Sequence, residues 1–264
     1  MTQPAQINRD RPQMLTIFET AGEAAYAVAD HVLATVKRNP NAILGLATGQ
    51  TPRQVYARLI EAVRDDVVTF RQATTFNLDE YCGLPPSHPD SFAAFMRREL
   101  FDGADFTSDR VNLIAGDATD YHAEANRYAD LLHNSGGIDL QLLGLGTNGH
   151  IGFNEPGSEQ DSRLRVVNLS AETIEVNRPS LFELETVPPH AITMGISDIL
   201  DSREIIMLAT GVSKAQAVCR SLEGPASADC PASYLSRHPN VHWYLDIGAA
   251  SSLRFSQRTA QNLS

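Results

Sequence analysis

Short strand-like runs alternate with stretches of helical periodicity along most of the chain, and this alternation restricts the fold more than any other feature. Residues 42–47, 73–78, 111–114, 138–145, 191–195, 204–209 and 241–246 read as strands. Residues 20–38, 52–64, 91–101, 121–133 and 214–222 carry helical patterns, the first stopped by Asn39-Pro40. Strands alternating with helices predict an α/β fold, a doubly wound and mainly parallel sheet. No linker interrupts the pattern, so residues 1–264 are expected to form a single domain. Residues 159–189 are polar, irregular and proline-punctuated, and are expected to run over the surface as a mobile lid.

The run 138–145 is apolar almost throughout and bounded by glycines, as a central parallel strand should be. No helix follows it, because Gly149, Gly152, Pro156 and Gly157 break every helical register. His150, Asn154 and Glu155 are therefore delivered on an irregular loop at a strand's carboxyl end, where open α/β sheets bind ligands. Gly144, Gly146 and Gly149 match the G-x-G-x-x-G dinucleotide pattern in letters. That pattern works only when a helix begins inside it and presents its N-terminus to a pyrophosphate. Without the helix, a nicotinamide cofactor is rejected.

Composition narrows the class. The chain has no apolar run of the ~20 residues that span a bilayer, and its polar beginning lacks the core of a secretory signal. Three cysteines without a C-x-x-C pair suit reduced thiols in the cytoplasm. A net charge of −11 argues against nucleic acid, so an anionic small molecule must be held by a local cationic site. The sequence leaves a homo-oligomer open.

Two segments repeat a strand, Thr-Gly, hydroxyl residue and helix: Leu46–Pro52 (LATGQTP) and Leu208–Lys214 (LATGVSK). Such a turn exposes unpaired backbone N–H groups at the positive end of a helix dipole. Thr48, Gly49, Gln50 and Thr51 can wrap a phosphate, and Lys214 adds a mobile cation. Taken singly, Thr51 and Ser213 each read more readily as a helix cap; two such turns together shift the balance modestly toward one shared phosphate site. Asp79 and Glu80 stand together at a strand tip, unusual because strands deplete acidic residues. Asp79 could be a general base, although spacing alone favours a solvated pair capping the next turn. His88, in a proline-rich loop, reads as structural, and no compact ligand spacing supports a metal.

Taken in order, GLATGQTP, FNLDEYCGLPPSHPDSFAAFM, GLGTNGHIGFNEPGS and ATGVSKAQAV resemble the glucosamine-6-phosphate deaminase (glucosamine-6-phosphate isomerase) family, over about residues 15–246. The resemblance implies a Rossmann-like sheet and the conversion of glucosamine 6-phosphate and water to fructose 6-phosphate and ammonia, with no cofactor. It also implies that Asp79 is the base at C2 and that His150 and Glu155 serve ring opening. Thr48–Thr51 and Lys214 would hold phosphate, joined by a lid arginine that falls on Arg178 with a one-residue gap. Many members carry aspartate where this chain has Asn148, which is therefore expected to position His150 without charging it. Activation by an amino-sugar phosphate, seen in some members, relies on cationic side chains around Arg165; with Val167 nearby it is not expected here.

These residue types suit the chemistry. An imidazole of ordinary pKa ~6.5 can take the O1 proton of a closed sugar and return it to the ring oxygen. A carboxylate can then move the C2 proton of the open aldehyde to C1. Two alternatives are a 6-phosphogluconolactonase, with a similar Gly-His loop, and a non-catalytic sugar-phosphate sensor. The Asp79-Glu80-Tyr81 and Asn154-Glu155-Pro156-Gly157 blocks favour the deaminase over the lactonase. A sensor would be expected to add a DNA-binding segment, for which the chain leaves no room.

Overall fold

The computed structural model describes residues 13–178 and 183–254. In chain order its elements are β1 (Gln13–Phe18), α1 (Ala21–Arg38), β2 (Ile43–Leu46), α2 (Arg53–Arg64), β3 (Thr74–Asn77), β4 (Asp79–Tyr81), α3 (Phe92–Met96) and β5 (Val111–Asn112). There follow α4 (Tyr121–Asn134), β6 (Leu140–Gly144), β7 (Arg165–Asn168), α5 (Ala171–Asn177), β8 (His190–Thr193), α6 (Ile196–Leu200), β9 (Glu204–Ala209), α7 (Ala215–Glu223), β10 (Val241–Asp246) and α8 (Ile247–Ala250).

Seven strands form one sheet in the order β1-β10-β9-β6-β2-β3-β5, every neighbouring pair parallel. Alternation along each strand splits the core in two. Ile206 and Leu208 of β9 face α1, whose Val28, Ala29, Val32 and Val36 form its buried stripe. Ile205 and Met207, with Val241, Trp243 and Leu245 of β10, face the opposite layer. Helix α1 begins at Thr20 in a reciprocal capping box with Glu23, which fixes its start one residue after the expected one. From β2 the chain winds outward through β3 to β5, then returns to β2's other side with β6 and winds the opposite way. The order thus reverses between β2 and β6, and the crevice beyond their carboxyl ends is the sheet's natural binding place.

Three elements depart from the expectations. Residues 73–78 and the carboxylates after them do not end one strand: β3 stops at Asn77, and β4 begins two residues later in a second sheet. That sheet is antiparallel, in the order β4-β8-β7. Leu78 is the joint. Its N–H donates to Leu46 O in the large sheet, and its carbonyl accepts from Met194 N–H beside the small one. Residues 191–195, expected as another parallel strand, supply β8 of this sheet. The stretch 159–189 is not irregular throughout, since it contains β7 and α5, the latter capped by Ser170. Its polar composition concealed a half-exposed strand; residues 179–182 of the expected lid lie outside the described residues. No helix among the described residues is long and apolar enough to cross a membrane.

Candidate active site

The crevice at the switch point opens into a cavity of about 600 Å³. Three strand ends build it. After β2, Gly49 takes φ +103°, a left-handed conformation that turns the chain into α2, and a Cβ there would meet nothing. Pro52 holds the N-cap of α2 with no side-chain cap, so Thr51 is not the helix cap that it resembles. After β9, Gly211 at φ +89° donates its N–H to both oxygens of Asp246, at 2.9 Å each, and leads into α7. That helix also starts without a side-chain cap, whereas α1, α3, α4 and α5 are capped by Thr20, Ser91, Asp120 and Ser170. Thr48, Gly49, Gln50, Thr51 and Lys214 all line the cavity. Burial holds the Lys214 ammonium below its usual pKa, and no carboxylate among the described residues pairs with it. A cation and uncapped helix starts facing one space form an anion site.

After β6 the chain makes the expected glycine turn and no helix. His150 is held from both sides of its peptide: its N–H donates to Asn148 Oδ1 at 3.1 Å, and its carbonyl accepts from Gly146 N–H at 2.9 Å. Asn148 thus positions His150 through the backbone, not through the ring. The imidazole lies against Gly146, where a Cβ would collide with it. His150 Nδ1 and Glu155 Oε1 are both buried without hydrogen-bond partners. Burial drives the His150 pKa down to about 4, opposed by Glu155 and assisted by Lys214. The imidazole is therefore neutral across the physiological range, not poised near 6.5. His150 lines the cavity; Glu155 and Asn148 do not.

Asp79 is the main departure. Far from forming a solvated cap, Asp79 and Glu80 are 6% and 2% exposed. Adjacent strand residues face opposite ways, so Asp79 lines the cavity while Glu80 points at the start of α3. There Glu80 accepts the N–H groups of Tyr81, Phe92 and Ala93 at 2.8–2.9 Å. Burial pushes the Glu80 carboxyl up to about 7, and these three donors, which favour its charged form, hold it from going higher. Burial, then the neighbouring Glu80, push the Asp79 carboxyl up to about 8. The wall above Asp79 is aromatic: Tyr81, Phe92 and Phe153 pack with ring centres 4.7–5.8 Å apart.

Arg178 is not brought to the cavity. It sits at the end of α5, where its guanidinium contacts Glu185 O and Glu175 at 3.4–3.5 Å. Sequence reasoning missed Arg53 and Arg98, which line the cavity and flank the Phe95 ring at 5.5 and 5.8 Å. Arg53 directly follows Pro52, and that adjacency was the available signal. Asn154 proves structural: its amide donates to Ile151 O and Met194 O and accepts from Arg165.

Residues 17–243 match the family model of glucosamine-6-phosphate isomerases and 6-phosphogluconolactonases. A glucosamine-6-phosphate deaminase of Rhodopirellula baltica is 51% identical over 230 residues, covering 87% of this chain and 92% of that one. A glucosamine-6-phosphate deaminase of Giardia intestinalis is 44% identical, covering 86% of each chain. The solved structure of a monomeric glucosamine-6-phosphate deaminase superposes with a TM-score of 0.88 at 41% identity, covering 90% of this chain and 99% of that one. A 6-phosphogluconolactonase from Trypanosoma cruzi shares the fold, with a TM-score of 0.76 at 19% identity and coverage of 92% and 97%.

Proposed function

The chain belongs to the glucosamine-6-phosphate deaminase family, and from that membership and the cavity we propose how it converts glucosamine 6-phosphate and water to fructose 6-phosphate and ammonia. The observation that carries the proposal is the convergence of Asp79, His150, Thr48–Thr51 and Lys214 on one space. The two phosphate turns and the two proton-transfer groups come from four separate segments, and only the fold unites them.

The phosphate occupies the uncapped starts of α2 and α7, with Lys214 as its counter-ion. This remote contact orients the sugar so that its reacting carbons lie between His150 and Asp79. Neutral His150 takes the O1 proton of the closed ring and hands it to the ring oxygen, opening the aldehyde. Glu155 offsets the imidazolium formed in passing. Ionised Asp79 then removes the proton at C2 and returns it at C1, which leaves an imine at C2. Water adds to C2, ammonia departs, and the C2 ketone of fructose 6-phosphate remains. No hydride is transferred.

Residues 159–189 act as a lid in this reading. Their returning segment is tied to the cavity wall by buried Asp90, which accepts the N–H groups of Glu183 and Leu184 at 2.9 Å each. Arg178 joins the phosphate when the lid closes. The reaction is a hydrolytic deamination in the breakdown of amino sugars, including N-acetylglucosamine. We place it in the cytoplasm, in keeping with the free thiols of Cys82, Cys219 and Cys230. The deciding experiment offers glucosamine 6-phosphate and 6-phosphogluconolactone in parallel. Ammonia from the first without acid from the second is expected; the reverse pattern would assign a lactonase.

A further inference from the structure

The carboxyl ends of the strands hold the cavity; near their amino ends lies a second cluster of chemistry-bearing side chains. His31 of α1, Glu204 at the first position of β9 and His242 at the second of β10 place their ligand atoms within 4.8 Å of one another. Both imidazole Nε2 atoms approach the same Glu204 Oε1, each at 2.8 Å. The rings meet edge to face, with centres 4.7 Å apart and planes at 85°, so their nitrogens converge. The side chains are 13–18% exposed, so solvent reaches the cluster.

The surroundings fit a cation better than a hydrogen-bonded cluster alone. Glu204 Oε1 and Asn240 Oδ1, at 2.8 and 3.0 Å, both face His242 Nε2, which has one hydrogen to give. On the far side of His31, its Nδ1 lies 2.8 Å from the Tyr244 hydroxyl. Such an outer partner fixes a ligating imidazole's orientation and leaves Nε2 facing the metal. Tetrahedral zinc, with bonds of about 2.0–2.2 Å, holds its ligand atoms roughly 3.3 Å apart. Each N···O contact need open by only about 0.5 Å to admit it.

We propose that His31, Glu204 and His242 bind a divalent transition-metal ion of the zinc type, with water completing the shell, and that the ion fastens α1 to the amino ends of β9 and β10. Two imidazoles and one carboxylate select such an ion over magnesium or calcium, which favour oxygen donors. Glu204 lies five residues from the carboxyl end of β9, roughly 16 Å along the strand. The ion is therefore structural and takes no part in turnover.

The test is calorimetric titration of the chelator-treated protein with Zn²⁺ alone. One ion per chain is expected, with a Kd below about 50 µM, weakened at least ~100-fold in the His31→Gln/His242→Gln double variant. At a hundredfold excess over Kd, Zn²⁺ should raise Tm by roughly 5–10 °C in the parent and not in the variant. The variant's kcat should equal the parent's. A weaker Kd in the parent, or the same affinity in the double variant, overturns the site. Should the double variant not fold, Co²⁺ added to the parent decides. Intense visible absorption of four-coordinate cobalt, diminished in Tyr244→Phe, supports the assignment; the spectrum of the free aqua ion refutes it.

Discussion

Glu80→Gln separates the two buried carboxyls without touching the one that lines the cavity. On opposite faces of one strand, adjacent carboxyl groups lie ~8 Å apart. At an effective dielectric of ~20, unit charges at that distance interact by about 2 kcal/mol, or ~1.5 pK units. Burial is the larger cause of the Asp79 shift and stays; the charge of Glu80 is the smaller cause and goes. Asp79 should therefore fall from about 8 to ~6.5. At pH 7 its ionised fraction rises from about one tenth to about three quarters, and kcat/KM by up to ~8-fold. Ammonia release from glucosamine 6-phosphate, followed from pH 5.5 to 9.5, should show the acidic limb displaced downward. The amide nitrogen replaces an oxygen that accepts backbone N–H groups, so stability should drop by ~1–3 kcal/mol. A folded variant with an unmoved acidic limb would refute the idea that Glu80 holds the proton on Asp79.

Asp79→Asn should lose turnover by several orders of magnitude, with exchange of the C2 hydrogen lost too. Because the folded pKa lies above the ordinary ~3.9, the stability of the parent declines as pH rises from about 4 to about 8. The variant should therefore gain several degrees in Tm at pH 8 and nothing at pH 4, by calorimetry. Lys214→Ala should weaken glucosamine 6-phosphate by roughly 1.5–3 kcal/mol and affect glucosamine little, and Arg178→Ala should weaken the same substrate less; equal losses on both substrates would make Lys214 structural. Asn148→Asp should keep substantial activity, since its oxygen can still accept the His150 N–H. By NMR its His150 should titrate above about 4, because a nearby anion favours imidazolium; an unmoved titration would contradict this. Dialysis against a chelator should leave ammonia release intact at 25 °C even where it lowers Tm; loss of activity restored only by metal would place a metal in the chemistry.

What could be read from the sequence was what is local. Strands such as 204–209 and 241–246 declare themselves by unbroken apolar character and were placed to the residue. The Thr48–Thr51 turn, Lys214 and His150 were legible because a strand, a glycine and a polar residue within a few positions determine one another. Asp79 was misplaced because a single residue, Leu78, separates two strands of different sheets. No periodicity resolves a joint one residue long. For the same reason its burial was invisible: the aromatic wall of Tyr81, Phe92 and Phe153 assembles from distant segments. Arg165–Asn168 escaped notice because a partly exposed strand of four residues inside a polar, proline-punctuated stretch resembles a loop. His31, Glu204 and His242 span over two hundred positions and share no motif; only the packing of α1 on β9 and β10 makes them neighbours.

The joint at Leu78 also bears on which substrates the site can accept. The phosphate turns belong to the large sheet, whereas Asp79 rides on the first residue of the small one. The span between anchor and base is thus measured across two sheets meeting at one residue, whose N–H is held by one sheet and whose carbonyl is tied beside the other. In the proposed mechanism that span must match the distance from a terminal phosphate to the carbon next to an aldehyde. Carbon-chain length is gauged at the seam between the sheets, where Leu78 itself lines the cavity. Substitutions that tilt the sheets there should retune the site toward shorter or longer amino sugars while Asp79, His150 and the phosphate turns keep their side chains.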